Sequence, residues 1–207
     1  MIVTATQADR IGPALLAHRR AQDPVQPVLD GLSDEALMRR YQSGDGAAFE
    51  LLYRRHSGRL HRFVTRMTSG GAEADEIFQE VWLAIIKGRE RYVPSARFVT
   101  FLFSIAHRRA ADRLRFAHTH PTEELDAEYN DTTDTPLDTV LNAALGHALQ
   151  AAIATLPLPQ REAFLLQAEA ELSLDEISQA AGVPRETVKS RLRYAHRRLR
   201  QALDEWK

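Results

Sequence analysis

The stretch Ser173–Leu192 constrains the fold more than any other part of the chain. Ser173 and Glu176 stand at capping-box spacing, so each can satisfy a backbone donor at a helix start. Gly182 falls where that helix must stop and the chain must turn, and glycine tolerates the positive φ needed there. Pro184 suits the first position of a second helix, where its missing N–H is not required. In that second helix Val188, Leu192, Ala195 and Leu199 recur at helical spacing and mark a buried side. Glu186, Lys189, Ser190, Arg193 and Arg197 fall on the opposite side. Such side chains hydrogen-bond to phosphates and base edges, as a helix lying in a major groove must. A helical hairpin with a solvated charged face would show the same charges. The cap, the turn glycine, the proline and the basic outer face together favour a DNA-binding helix-turn-helix.

The 207 residues suffice for one large domain or two small ones. The chain has no cysteine, which excludes disulfides, thiol catalysis and cysteine-ligated zinc and fits a reducing cytosol. No run of about 18 apolar residues exists, so no membrane insertion is expected. The start lacks a basic segment followed by an apolar one, so a cytoplasmic protein is expected. The net charge of −1 argues weakly against nucleic acid, but its distribution argues for it. Positive charge gathers at Arg108–Arg115 and Arg185–Arg200, and negative charge at Glu123–Asp138.

Taken in order, residues 1–32 carry Pro13, Pro24 and Pro27 and read as a mobile extension with one short helix over Ile11–Arg20. Ser33 is placed to cap a helix from Asp34, with Leu37 and Tyr41 inward. Gly44-Asp45-Gly46 breaks it. A longer helix follows, with Phe49, Leu52, Tyr53, His56, Leu60, Phe63 and Met67 at helical spacing. His56 and His61 lack an acidic or histidine partner at i+4, so they read as packing or surface residues. After Gly70-Gly71, a helix from Ala74 to about Lys87 turns Ala74, Ile77, Phe78, Val81 and Ile85 inward. Glu76, Gln79, Glu80 and Leu83 fall outward, as either a docking surface for a basic partner helix or a plain solvated face. Beyond a loop over Gly88–Ala96, a helix from Arg97 interleaves Phe98, Phe101 and Phe103 with His107, Arg108, Arg109, Arg113 and Arg115. Aromatic faces stack bases and arginines follow a backbone, as single-stranded nucleic acid requires; an all-core aromatic cluster is the competing reading. Residues 117–140, acidic and poor in apolar groups, read as a disordered linker. Leu141, Leu145, Leu149, Ile153 and Leu156 outline a further helix, and Gln160 to about Glu169 another, with Phe164 and Leu165 inward. The fold class expected is all-α: two small helical domains, 33–116 and 141–207, joined by the acidic linker, the second containing the helix-turn-helix.

The order of these pieces resembles a bacterial RNA polymerase sigma factor of the extracytoplasmic-function (ECF) group. Asp75–Trp82 looks like the family's core-binding helix, which implies that Glu76, Gln79, Glu80 and Leu83 contact core RNA polymerase. Arg97–Leu102 and Ile105–Arg115 look like the promoter-melting segment. The resemblance thus implies a minus-ten set of Tyr92, Ser95, Arg97, Phe101, Ser104, His107, Arg108 and Arg115, with Tyr92–Ala96 as the loop that accepts a flipped base. Thr187–Leu192 matches the recognition helix, and Leu156-Pro157 with Arg161 matches the helices before it. The implied minus-thirty-five set is Arg185, Glu186, Thr187, Lys189, Ser190, Arg193 and Arg197. Phe101 stands where many members carry Trp, and Arg108 where many carry Asn; an arginine cannot replace an amide that reads a base edge. The implied partners are core polymerase, promoter DNA in double-stranded and melted form, and an anti-sigma protein where one restrains the factor. No cofactor or metal is implied, because catalytic magnesium belongs to the polymerase. A stand-alone helix-turn-helix regulator would explain the C-terminal half but neither the acidic helix nor the aromatic-basic one. An enzyme such as a recombinase would need a nucleophile or carboxylate cluster in an ordered domain, and the sequence offers neither.

Overall fold

The computed structural model describes residues 29–68, 70–119 and 138–204, all helix, turn or loop with no strand among them. The chain divides into two units, Met1–Leu32 and Ser33–Lys207. The eight helices named below all belong to the second. The expected helix at 11–20 and the acidic stretch 120–137 lie outside the described residues.

Helix α1, Asp34–Gln42, begins as its sequence predicts, with the Ser33 side chain accepting the Ala36 N–H. Asp45 then starts α2, Gly46–Thr68, its Oδ1 accepting the Ala47 and Ala48 N–H groups at 3.1 and 3.3 Å. The predicted α2 stripe is buried except for Tyr53, which lies at the rim of an aromatic cluster with Phe49, Phe78 and Trp82. His56 is buried and does have an acidic partner, but on another helix: its Nε2 lies 2.7 Å from Asp34 Oδ2. Helix α3, Ala72–Gly88, buries Ala74, Ile77, Val81, Trp82 and Ile85.

A short 3₁₀ turn, Arg89–Arg91, leads to the loop before α4, Phe98–Thr119. Two side chains of α1 fix that loop. The Gln42 amide donates to the carbonyls of Arg89 and Tyr92, both at 2.9 Å. The Glu35 carboxylate accepts the first N–H of α4, from Phe98, at 2.8 Å. A negative group there satisfies an orphan donor and complements the helix dipole. Phe98 and Phe103 are fully buried, whereas Phe101 is half-buried with its ring centroid 5.3 Å from that of Tyr92. The aromatic cluster is therefore core at two positions and open at one. Helix α4 runs three residues into the expected linker, because neither Gly nor Pro interrupts the chain before Pro121.

Helix α5, Asp138–Ala154, likewise starts before the expected boundary. Of its predicted stripe, Ile153 and the following Leu156 are buried, Leu149 is half-buried and Leu145 is exposed. Helix α6 spans Leu158–Ala168, α7 Leu174–Ala181 and α8 Arg185–Ala202. Both halves of the predicted capping box at Ser173 and Glu176 form, and Gly182 takes the left-handed conformation at φ +66°. Pro184 occupies the cap of α8, one place before its first helical residue. Val188, Leu192, Ala195 and Leu199 are its buried residues, as the periodicity requires. Helix α2 packs on α5 and α6, and α4 packs on α7, so the first four helices and the last four share one interior.

Two glycines give a paired test of the helix signals. Nothing lies within 4 Å of a Cβ built on Gly182 or Gly146. Gly182→Ala should still cost about 1 kcal/mol, because its φ disfavours any side chain. Gly146→Ala, inside α5, should stabilise by about 0.5–1 kcal/mol through helix propensity alone. Urea unfolding of the two variants checks both signs.

Candidate nucleic-acid and partner interface

The outer face of α3 is less free than its sequence suggests. Gln79 and Leu83 are exposed, Leu83 at 45%. Glu80 instead turns toward α4, with Oε2 2.5 Å from Arg109 Nη1 and Oε1 3.7 Å from Arg113 Nη2. Glu76 pairs with Arg113 at 3.2 Å. Both acids keep an outward exposure, Glu76 fully and Glu80 in part, but each is paired: spacing along α3 does not reveal that α4 brings two arginines alongside.

The residues expected on the minus-ten face divide in three. Ser95, Arg97, Arg108 and Arg115 are exposed, Phe101 and Ser104 half-buried, and Tyr92 and His107 buried. The Tyr92 ring packs between Phe98 and Phe101, so it supports the loop from inside and offers no open face. Burial, followed by the nearby Glu35 charge, pushes its hydroxyl pKa up from the ordinary value. Ser104 Oγ donates back to the Thr100 carbonyl at 2.6 Å, and Arg115 pairs with Asp112 at 2.5 Å. Thr100, Phe101, Ser104 and Arg108 are set along α4, with Arg97 immediately before its first residue.

On α8, Arg185 pairs with Asp175 of α7 at 3.0 Å, and Lys189 lies 3.7 Å from Glu186. Ser190 Oγ donates to the Thr187 carbonyl at 2.9 Å. Tyr194 was not among the residues that sequence reasoning singled out. Its ring lies under two guanidinium groups, Arg193 at 5.3 Å and Arg197 at 4.9 Å. Stacking of this kind holds flexible arginines over an aromatic face. The i−1 and i+3 spacing of Arg193 and Arg197 from Tyr194 was the available signal.

Sequence reasoning also missed the seam between the two helical halves. Glu169 is buried at 6% exposure, and its carboxylate accepts Arg62 Nε at 3.0 Å and Arg66 Nη1. Its carbonyl accepts Arg59 Nε at 2.6 Å. Arg161 donates across the same seam to the Met67 carbonyl at 3.0 Å and within its own half to the carbonyls of Ala154 and Leu156. Glu162 Oε1 stands 3.5 Å from His107 Nε2. Glu176, besides capping α7, accepts Thr100 Oγ1 at 2.7 Å and Arg97 Nη1 at 3.2 Å. Burial opposes ionisation of Glu176. The hydrogen bonds from Thr100 and Ser173 and the Arg97 charge outweigh it, holding the carboxyl at about 2, below its ordinary 4.5.

The Sigma-70 region 2 family model matches residues 52–119, and the Sigma-70 region 4 model matches residues 146–199. RNA polymerase sigma factor CarQ of Myxococcus xanthus is 31% identical over 168 residues, covering 81% of this chain and 96% of that protein. The chain belongs to the ECF group of RNA polymerase sigma factors. ECF RNA polymerase sigma factor SigM of Mycobacterium tuberculosis is 34% identical over 173 residues, covering 83% of this chain and 85% of that one. Among solved structures, CnrH in complex with the cytosolic domain of CnrY aligns with TM-score 0.62 at 22% identity, covering 83% of this chain and 97% of that one. The sigma factor RpoE in complex with the anti-sigma factor NepR from Bartonella quintana gives TM-score 0.63 at 18% identity, covering 75% and 96%. These two share the fold. As a sigma factor, the protein directs transcription initiation by RNA polymerase at promoter DNA. A stand-alone helix-turn-helix regulator leaves the region 2 match unexplained. Helices α1–α4 are hereafter region 2 and α5–α8 region 4. Among the described residues, no helix is long and apolar enough to cross a membrane, and no cluster of three or more His, Asp or Glu could hold a metal ion.

The depressed carboxyl of Glu176 predicts a pH dependence. A group whose folded pKa lies below its unfolded value stabilises the fold above the unfolded pKa and loses that contribution as pH falls. For this sigma factor the window runs from about 4.5 down to about 2. Urea midpoints measured across that window should fall more steeply for wild type than for Glu176→Gln. Parallel curves would contradict the assignment.

Proposed function

We propose that region 2 spans 33–116 and region 4 spans 141–207, with 117–140 as the tether that lets one chain reach two promoter elements. Core polymerase binds the outer face of α3 through Gln79 and Leu83, flanked by Glu76 and Glu80. The melted minus-ten strand follows α4 along Arg97, Phe101, Ser104, Arg108 and Arg115, with Ser95 in the adjoining loop and Tyr92 and His107 supporting from within. The minus-thirty-five duplex takes α8 in its major groove. There Arg193 reads a base edge, Arg185, Lys189 and Arg197 engage phosphates, and Glu186, Thr187 and Ser190 line the approach. The factor works by differential binding, performs no bond chemistry, and acts in the cytoplasm where the polymerase is. The complex of the neighbouring sigma factor RpoE with the anti-sigma factor NepR supports an anti-sigma protein as a further partner.

One observation carries this reading: region 2 and region 4 stand on one chain, each offering a distinct face of the expected chemistry. Leu83→Asp should lower core affinity at least tenfold in a co-purification or fluorescence titration while leaving urea unfolding unchanged, since the side chain is exposed. Glu80→Lys is a poorer probe. It sets a third cation beside Arg109 and Arg113 and should itself cost about 1 kcal/mol of stability. On a promoter-variant library read with holoenzyme, Arg193→Ala should relax preference at one or two base pairs by about 1–3 kcal/mol. Lys189→Ala should weaken all promoters alike and reduce the salt slope by about one. Wild-type behaviour of both variants on every promoter would make the α8 face a solvated surface.

A further inference from the structure

The cations on the outer face of α8 are held in two different ways. Toward the start of the helix, carboxylates hold them: Asp175 lies 3.0 Å from Arg185, and Glu186 lies 3.7 Å from Lys189. One turn further along, an aromatic ring does. The guanidinium carbons of Arg193 and Arg197 lie 5.3 and 4.9 Å from the centroid of the Tyr194 ring, and Tyr194 keeps 39% of its surface exposed. A carboxylate takes up N–H donors that a phosphate or a base edge needs, so such a pair must break before DNA can bind. A ring attracts a guanidinium through its quadrupole and leaves those donors unspent. Ring and cations stand on the exposed side of α8, away from the buried Val188, Leu192, Ala195 and Leu199. The core therefore does not account for a tyrosine at this position.

An unrestrained arginine samples many rotamers and gives them up when it binds. An arginine already gathered over a ring has given up most of them. Reading a guanine edge needs this order more than binding a phosphate does, because a bidentate contact fixes the plane of the guanidinium as well as its distance.

We propose that Tyr194 is a positioning residue of the minus-thirty-five interface: its ring gathers Arg193 and Arg197 before DNA arrives and so sharpens the base preference that Arg193 reads. This rests on the assignment of the α8 face to the minus-thirty-five duplex. The two cations have different duties, so the ring has two effects. Through Arg193 it raises discrimination at particular base pairs, and through Arg197 it raises affinity for every promoter alike.

Holoenzyme carrying Tyr194→Ala is compared on the promoter-variant library with Arg193→Ala and with the double variant. Tyr194→Ala should lower discrimination by about two- to tenfold, the range set by ordering one long side chain, at the same base pairs that Arg193→Ala relaxes. Other positions should keep their preference. In the double variant Tyr194→Ala should add nothing at those base pairs, since its effect there passes through Arg193. Affinity for all promoters should fall, yet the salt slope should match wild type because no charge is lost; Arg197→Ala should lower that slope by about one. Tyr194→Phe should behave as wild type, since it loses the hydroxyl and keeps the face of the ring.

If Tyr194→Phe is as impaired as Tyr194→Ala, the hydroxyl and not the ring is at work, and the proposal is overturned. A loss that adds in full to that of Arg193→Ala overturns it as well. Wild-type preference in Tyr194→Ala beside a relaxed Arg193→Ala removes the positioning role and leaves the α8 assignment standing. Silence of both variants removes the two together. Should Tyr194→Ala lose its helical circular dichroism, Tyr194→Leu takes its place. Leucine keeps the helix propensity and the apolar bulk without a π face, so it should give the same loss, and wild-type preference in Tyr194→Leu overturns the proposal.

Discussion

The arrangement of this sigma factor depends on one buried carboxylate. Glu169 lies at the end of α6 with almost no exposure, and three arginines on successive turns of α2 converge on it. A carboxylate taken out of water is tolerated only when paired and hydrogen-bonded, and removing its partners costs far more than the pair contributes. Glu169 therefore gives region 4 a defined seat on region 2 more than it adds net stability. Arg161 complements it from the other side, with one guanidinium joining the last turn of α2 to the turn before α6. The rest of the seam, Glu162 with His107 and Glu176 with Arg97 and Thr100, follows from that seating.

The same side chain often serves both a local and a distant purpose. Glu35 is in the first turn of α1 and also caps α4. Gln42 ends α1 and anchors the loop over Arg89–Tyr92. Glu176 completes the capping box of α7 and holds α4. Helix ends carry unsatisfied backbone groups and a dipole, so a short polar side chain near one terminus can position another element without extra cost in buried polarity. This is how Phe101 and Arg108 come to lie along α4, with Arg97 just before its start, while the loop ahead of it stays short.

What was legible in the sequence was local. Ser33, Ser173, Glu176 and Gly182 announce helix ends because their effect spans only a few residues, and the stripe Val188, Leu192, Ala195 and Leu199 has the 3.6-residue period of a buried face. The seam was not legible. Glu169 meets Arg59, Arg62 and Arg66 across 110, 107 and 103 residues, and nothing in its own neighbourhood marks it as more than a helix-end acid. The partners of Glu76 and Glu80 were hidden for the same reason: their face along α3 is readable, but which helix lies beside that face is a property of the fold. Phe98, Phe101 and Phe103 could not be sorted by composition, since stacking rings and core rings are the same residue type. Only the packing of α4 separates the two buried ones from the half-open one.

The seam is tested most directly by hydrogen exchange on the full-length protein, alone and bound to core RNA polymerase. In the free protein, the amides of Glu169–Glu176 and the first turns of α4 should be protected together and exchange in one cooperative step, because they share the contacts of Glu169 and Glu176. On core they should become faster while the interior of α2, around Leu60 and Phe63, stays protected. Fast exchange at Glu169–Glu176 in the free protein, or protection there that core leaves untouched, would contradict the account of two regions held by those carboxylates.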